Sequence, residues 1–179
     1  AKTLWTRQIK DVAGGPILWK NRLIIGASDR TLRAVDRDDG HDLWSIELSG
    51  RPTAPPSLTG DLIVQPTDNG KVYGIQPDSG RVQFEVDLGH PLVSAAACGE
   101  LIWVTDINGG VHALDPTDGR IVWQKSIGGP IWCSPAVSGG RLIAAHSGGE
   151  IVALAAATGL EIWRYAAVDV IKAAPLVIG

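Results

Sequence analysis

The run Ala113-Leu114-Asp115-Pro116-Thr117-Asp118-Gly119-Arg120-Ile121-Val122-Trp123 decides the fold. It reads as an apolar strand end, an Asp-started turn closed by Gly119, and a second strand carrying one large aromatic. The Asp115 side chain can cap the turn, and Gly119 takes a positive φ at no steric cost. Alone, this is a hairpin signal. Its weight comes from recurrence.

Upstream the pattern stands as Ala34-Val35-Asp36, Gly40 and Trp44, then as Gly74-Ile75-Gln76, Gly80 and Phe84; downstream it is Ala153-Leu154-Ala155, Gly159 and Trp163. The turn glycines are spaced 40, 39 and 40 residues apart, and the aromatics Trp5, Trp44, Phe84, Trp123 and Trp163 are spaced 39, 40, 39 and 40. Pro16, Pro55, Ala95, Pro135 and Pro175 keep the same phase. Three features in step over four periods define a repeat protein whose units are too small to bury a core alone.

Each unit holds three further apolar runs separated by turn signals. In the last they are Ser134 to Val137, Leu142 to Ala145 and Ile151 to Leu154, divided by Ser138-Gly139-Gly140 and Ser147-Gly148-Gly149. Asn-Gly and Gly-Gly between short β-branched runs are strong hairpin cues. Helical periodicity is absent, and 22 Gly with 11 Pro would interrupt helices repeatedly. The expectation is an all-β chain of four-stranded antiparallel blades, a β-propeller. The predicted blades span 10–48, 49–88, 89–127 and 128–166. Strand 1–9 and strand 167–179 belong to incomplete flanking blades, with an outer strand from Leu4 to Ile9 and an inner strand from Ala174 to Ile178. A chain that starts and stops mid-blade leaves unpaired edges. The favoured resolution is a larger ring or protein; the alternatives are a homodimer closing one ring and a ring closed by four blades.

The motif Ala-x-Asp-x-x-x-Gly-x-x-x-Trp, complete at Asp36 to Trp44 and Asp115 to Trp123 and partial in the other units, resembles the tryptophan-docking repeat of the pyrroloquinoline-quinone-type propellers. The resemblance covers the whole chain. It implies that Trp5, Trp44, Trp123 and Trp163 pack between neighbouring blades with the indole N–H held by backbone, and that Phe84 substitutes without the donor. One amphipathic ring per repeat at constant phase agrees with that role. The family contains quinone-dependent dehydrogenases and relatives without cofactor, among them the periplasmic scaffold lipoprotein of outer-membrane barrel assembly and sensor or accessory propeller domains. Fold does not settle function between them.

The chain has 179 residues and a net charge of −3. That balance provides no basic stripe for nucleic acid, and no window of about 18 apolar residues offers membrane insertion. Cys98 and Cys133 lack metal or redox spacing and are expected as free thiols. Nothing in this composition fixes the compartment; the resemblance favours a periplasmic or extracytoplasmic place, with a cytoplasmic one if the piece belongs to a multidomain enzyme. The acidic groups Asp36, Asp38, Asp39, Asp115 and Asp118 fall on the repeat's own turns, so capping is their expected role rather than Ca²⁺ ligation. None of the four His pairs at ligand spacing, and neither a nucleophile elbow nor a Gly-rich loop leading into a helix is present.

The loops joining blades and the turns between second and third strands are expected to share one rim. That rim would present Arg51, Asp68, His90, Asp106, Trp132 and Lys172 as partner contacts. Trp132 is off the docking phase, a spare aromatic at a loop tip. The first reading is a non-enzymatic propeller that displays rigid loops to a protein partner, or to other domains of the same protein, with no cofactor expected. The second is a fragment of a pyrroloquinoline-quinone- and calcium-dependent dehydrogenase acting on alcohols or sugars.

Overall fold

The computed structural model describes the chain except residues 1, 2, 4, 10, 93, 95, 96, 168, 172 and 176–179, and leaves the side chains of Ala97 and Cys98 undescribed. Four separate four-stranded antiparallel sheets follow one another along the chain, each with its strands in sequential order. Blade 1 comprises β1 (Ile17–Trp19), β2 (Arg22–Ala27), β3 (Thr31–Asp36) and β4 (Asp42–Glu47). Blade 2 comprises β5 (Ser57–Thr59), β6 (Leu62–Pro66), β7 (Lys71–Ile75) and β8 (Val82–Asp87). Blade 3 runs through β9 (Ala97–Cys98), β10 (Ile102–Thr105), β11 (Gly110–Leu114) and β12 (Ile121–Ser126). Blade 4 runs through β13 (Ala136–Ser138), β14 (Arg141–His146), β15 (Glu150–Ala155) and β16 (Glu161–Ala166). No helix occurs among the described residues, and this is the β-propeller architecture.

The backbone turn before each outer strand is built the same way four times. Gly40, Gly80, Gly119 and Gly159 each donate their N–H to the carbonyl four residues back, at 2.8–2.9 Å. All four glycines have positive φ, between 70° and 76°. A register shift follows in every blade, at Ala34/Val35, Gly74/Ile75, Ala113/Leu114 and Ala153/Leu154. The residue just before each shift pairs with the repeat aromatic, and the local twist of a bulge re-aims that side chain.

The core lies between blades. One cluster joins Ile24, Leu32 and Leu48 to Ile63, Tyr73 and Ile75; a second joins Leu62, Val64 and Phe84 to Ile102, Val104 and Leu114; a third joins Trp103, Val111 and Ile127 to Leu142, Val152 and Leu154. Each draws on two consecutive blades, and none among the described residues joins blade 1 to blade 4. Middle strands are therefore buried on both faces, as in β6 and β10, every residue of which is buried. Each fully buried Ile or Leu there contributes about 1.5–3 kcal/mol.

The expected flanking strands differ from what is found. Residues 5–9 carry no strand, and neither do the described residues between 167 and 175. A strand needs a hydrogen-bonded neighbouring strand, and among the described residues neither segment pairs with one. The remainder of the predicted strand 174–178 lies outside the described residues.

Candidate functional site

The aromatic series fixes how the blades meet. Trp5 Nε1 donates to Arg37 O at 2.8 Å, Trp44 Nε1 to Pro77 O at 2.9 Å, and Trp123 Nε1 to Ala156 O at 3.0 Å. Each acceptor sits three residues before the turn glycine of the following blade. The ring then covers that glycine: a Cβ on Gly40, Gly80 or Gly159 would fall 2.6–2.8 Å from Trp5, Trp44 or Trp123. Phe84 occupies the same place over Gly119, where a Cβ would lie 2.4 Å from its ring. It lacks an N–H, and its neighbour Gln83 supplies one, Nε2 donating to Thr117 O at 2.8 Å and Pro116 O at 3.4 Å. Gln83 stands where the other blades have Leu43, Val122 and Ile162, a signal that sequence reading missed. Trp163 covers no turn glycine among the described residues and is 42% exposed, beside Ile162, Tyr165 and Leu160, also exposed.

The off-phase tryptophans divide. Trp103 is buried and donates from Nε1 to the same Ala156 carbonyl as Trp123, at 3.0 Å. Trp19 donates to Asp61 Oδ1 at 3.2 Å, with Lys20 Nζ 4.0 Å from its ring centroid. Trp132 is 53% exposed, while its neighbours Ile131 and Cys133 are buried. Cys133 is a free thiol whose burial pushes its pKa up. Cys98 belongs to β9, and its thiol lies outside the described side chains.

The turn between second and third strands is stitched to the loop that leads into its own blade. Ser28 N donates to Asp11 O at 2.8 Å, Asp68 N to Arg51 O at 3.0 Å, Ile107 N to Pro91 O at 3.2 Å, and Ser147 N to Pro130 O at 2.9 Å. Both kinds of loop thus share one rim. Arg51 and Asp68 are neighbours, the Asp68 carboxylate also accepting from Arg51 N at 2.8 Å. Arg51 and His90 are exposed and Asp68 half-buried. Lys172 lies outside the described residues.

Asp106 does not offer itself to a partner: it is 1% exposed. Its Oδ1 accepts from Asn108 N at 2.7 Å and Gly110 N at 2.9 Å, and its Oδ2 lies 2.7 Å from His112 Nε2. Burial pushes this carboxyl up, but His112 and the two amides outweigh it and hold the pKa below the ordinary 3.8. Gly110 makes the room, since a Cβ there would fall 2.1 Å from Asp106 Oδ2. The repeat pattern gave no role to His112, which the structure places on β11. The blade 4 residue in phase with Asp106 is His146, also buried, with Nδ1 accepting from Gly148 N at 3.0 Å and Nε2 2.9 Å from Glu150 Oε2.

The remaining acids are spent on turns. Asp36 accepts from Asp38 N at 2.7 Å, Asp39 from His41 N at 3.1 Å, Asp115 from Thr117 N at 2.9 Å, and Asp118 from Arg120 N at 2.9 Å. Asp36, Asp39 and His41 form the one group of three metal-ligating side chains within 4.8 Å among the described residues. Asp39 and His41 in that group are exposed, Asp36 is half-buried, and both carboxylates are already engaged.

Comparison with known proteins places this geometry. A family model described as outer membrane protein assembly factor BamB matches residues 1–98 and again 83–178. The BamB of Shewanella oneidensis is 28% identical over 80 residues, 45% of this chain and 20% of that protein. The chain thus spans about a fifth of that relative. The crystal structure of BamB from Moraxella catarrhalis superposes with a TM-score of 0.67 at 20% identity, over 87% of this chain and 65% of that one. A quinohemoprotein alcohol dehydrogenase, ADHIIG from Pseudomonas putida HK5, gives 0.77 at 14% identity over 89% of this chain and 35% of its own. The computationally designed Ika4 protein gives 0.75 at 14% identity, over 87% of this chain and 98% of its own. At these identities the structures share the fold alone.

Proposed function

Because this chain belongs to the family of outer membrane protein assembly factor BamB, we propose that it is a non-enzymatic interaction propeller serving outer membrane protein assembly outside the cytoplasm. The observation that carries the reading is the rim. Loops locked to one another by backbone hydrogen bonds hold Arg51, His90 and Trp132 outward on a rigid frame, with Trp132 53% exposed. A large aromatic held open on an ordered loop is a means of anchoring a protein partner. Lys172 joins these contacts in the proposal.

No quinone or Ca²⁺ enters this reading. Ca²⁺ needs several converging oxygen ligands, and the acids described above are committed to capping turns or, in Asp106, to a buried histidine. Native mass spectrometry with added pyrroloquinoline quinone and Ca²⁺ is expected to show the bare chain; a retained quinone adduct would turn the reading toward a dehydrogenase.

The partner itself is tested by site-specific photo-crosslinking in bacterial cells. A crosslinker at Arg51, His90 or Trp132 should capture an outer-membrane protein or a fellow assembly factor, and one at Lys20 or Asp61, away from the rim, should not. Equal capture at both sets of positions, or none at the rim, sinks the proposal.

A further inference from the structure

At the end opposite the rim, successive blades are tied by the hairpin between first and second strands. Trp19 pairs with Arg22 and Thr59 with Leu62, and Gly99, whose N–H donates to Leu101 O, holds the same position in blade 3. From blade 1, Trp19 Nε1 crosses to Asp61 Oδ1 at 3.2 Å and Arg22 Nη1 to Asp78 O at 3.2 Å. From blade 2, Thr59 Oγ1 donates to Gly99 O at 3.0 Å, and Gln83 reaches Thr117 O. From blade 3 the corresponding residues are Gly99, Leu101 and Val122, and none of them carries a side-chain donor. The receiving side is bare as well. Gly140 precedes Arg141 as Asp61 precedes Leu62, and Ala157 stands two residues before its turn glycine, where Asp78 stands in blade 2.

The space differs accordingly. At the first junction a cleft of about 230 Å³ remains beside Trp19, Asp61, Pro77 and Asp78. At the third junction those four positions are Gly99, Gly140, Ala156 and Ala157, and the cleft grows to about 580 Å³ between Leu101, Trp103, Val122 and Val137. That is the size and apolar character of a binding site. Its walls run from the buried Trp103 to Val122, 40% exposed. Glu100 is the one charged residue of the lining, exposed and without a partner among the described residues. The nearby cations do not answer it. Arg120 lies 3.5 Å from Asp115, and Arg141, next to Leu142 of the inter-blade core, points to the other face of its strand. The first junction shows what this place holds when it is filled: an aromatic ring, with Lys20 Nζ 4.0 Å and the Arg22 guanidinium 5.6 Å from its centroid.

We propose that the cleft between blades 3 and 4 takes an aromatic side chain of a partner protein, in the place that Trp19 fills between blades 1 and 2, with a neighbouring lysine or arginine of that partner on Glu100. The site lies at the opposite end of the blades from the interaction rim and is independent of it.

The test is an NMR titration of the whole ¹⁵N-labelled chain with acetyl-Lys-Trp-Lys-amide. Saturable shifts are expected at the amides of Glu100, Gly140 and Ala157 and at the indole N–H of Trp103 and Trp123, which share the Ala156 carbonyl. Acetyl-Lys-Ala-Lys-amide should give none. Glu100→Lys should weaken binding by about fivefold or more, the loss of one surface ion pair. Ala157→Trp, which fills the cleft from an exposed turn position, should abolish it. Unchanged resonances in blade 1 would verify the fold of each variant. Absence of saturable shifts, an equal response to the alanine peptide, or undiminished binding by Ala157→Trp would overturn the proposal. So would tryptamine binding as tightly as the peptide, which would assign the cleft to a small amine. Rim crosslinks at Trp132 alongside an inert peptide would sink this cleft and leave the interaction rim standing.

Discussion

Asp106 and His112 show how much one position of a repeat can change. A buried carboxylate held by an imidazole and two amides costs about 3–5 kcal/mol when its partner is removed. His112→Ala is therefore expected to lower stability by about 3 kcal/mol in urea unfolding. The acid limb gives a second check. The Asp106 pKa is depressed in the folded protein, against burial, by His112, Gly110 and Asn108. Its stabilisation is present above the ordinary value of 3.8 and is lost as pH falls through the lower folded value. Asp106→Asn should therefore flatten the fall in stability below about pH 4, and an unchanged acid limb would refute the assignment. The sequence showed Asp106 as a rim acid but not its burial, because the partner stands six residues away on the next strand and Gly110 clears the space between them.

At the scale of the element, the turn and its aromatic work across a blade boundary rather than within one blade. Gly119 has φ 76° and lies under the Phe84 ring, whereas Gly60 has φ 54° and open space at its Cβ. Gly119→Ala should cost about 2–4 kcal/mol, from strain and overpacking together, and Gly60→Ala only about 1 kcal/mol. Thermal melts of the two variants compare them directly. Trp123→Ala should cost about 2–4 kcal/mol, since it removes packing and a hydrogen bond, and Trp163→Ala less than about 1 kcal/mol. Equal losses would mean that the ring matters within its own blade. The repeat phase made all five aromatics legible as one series. It gave no sign that Gln83 supplies the donor Phe84 lacks, because that compensation sits one residue off phase.

For the whole molecule, the junctions do not end alike. Trp5 covers the turn of blade 1, while β16 leaves Ile162, Trp163 and Tyr165 open. In the other blades the positions of Trp163 and Tyr165 are the half-buried or buried Trp44 and Ile46, Phe84 and Val86, Trp123 and Lys125. An uncovered apolar face of this kind promotes association. Light scattering should show mass rising with concentration, and Trp163→Glu with Tyr165→Glu should abolish the rise. A mass independent of concentration in the unsubstituted chain would show that the face is tolerated in water.

The blade is legible in the chain alone: four strands, their order, the turn glycines and the aromatic phase all follow from contacts between near neighbours, which repeat every 39–40 residues. So is the place of Arg51, His90 and Trp132 on loops. How adjacent blades close emerges only once they pack. The same register position becomes a bridge at Trp19 and an open cleft at Gly99, and that difference depends on side-chain size summed across two blades far apart in the chain. Periodicity reports what is common to every repeat, whereas the cleft exists because one junction departs from the others.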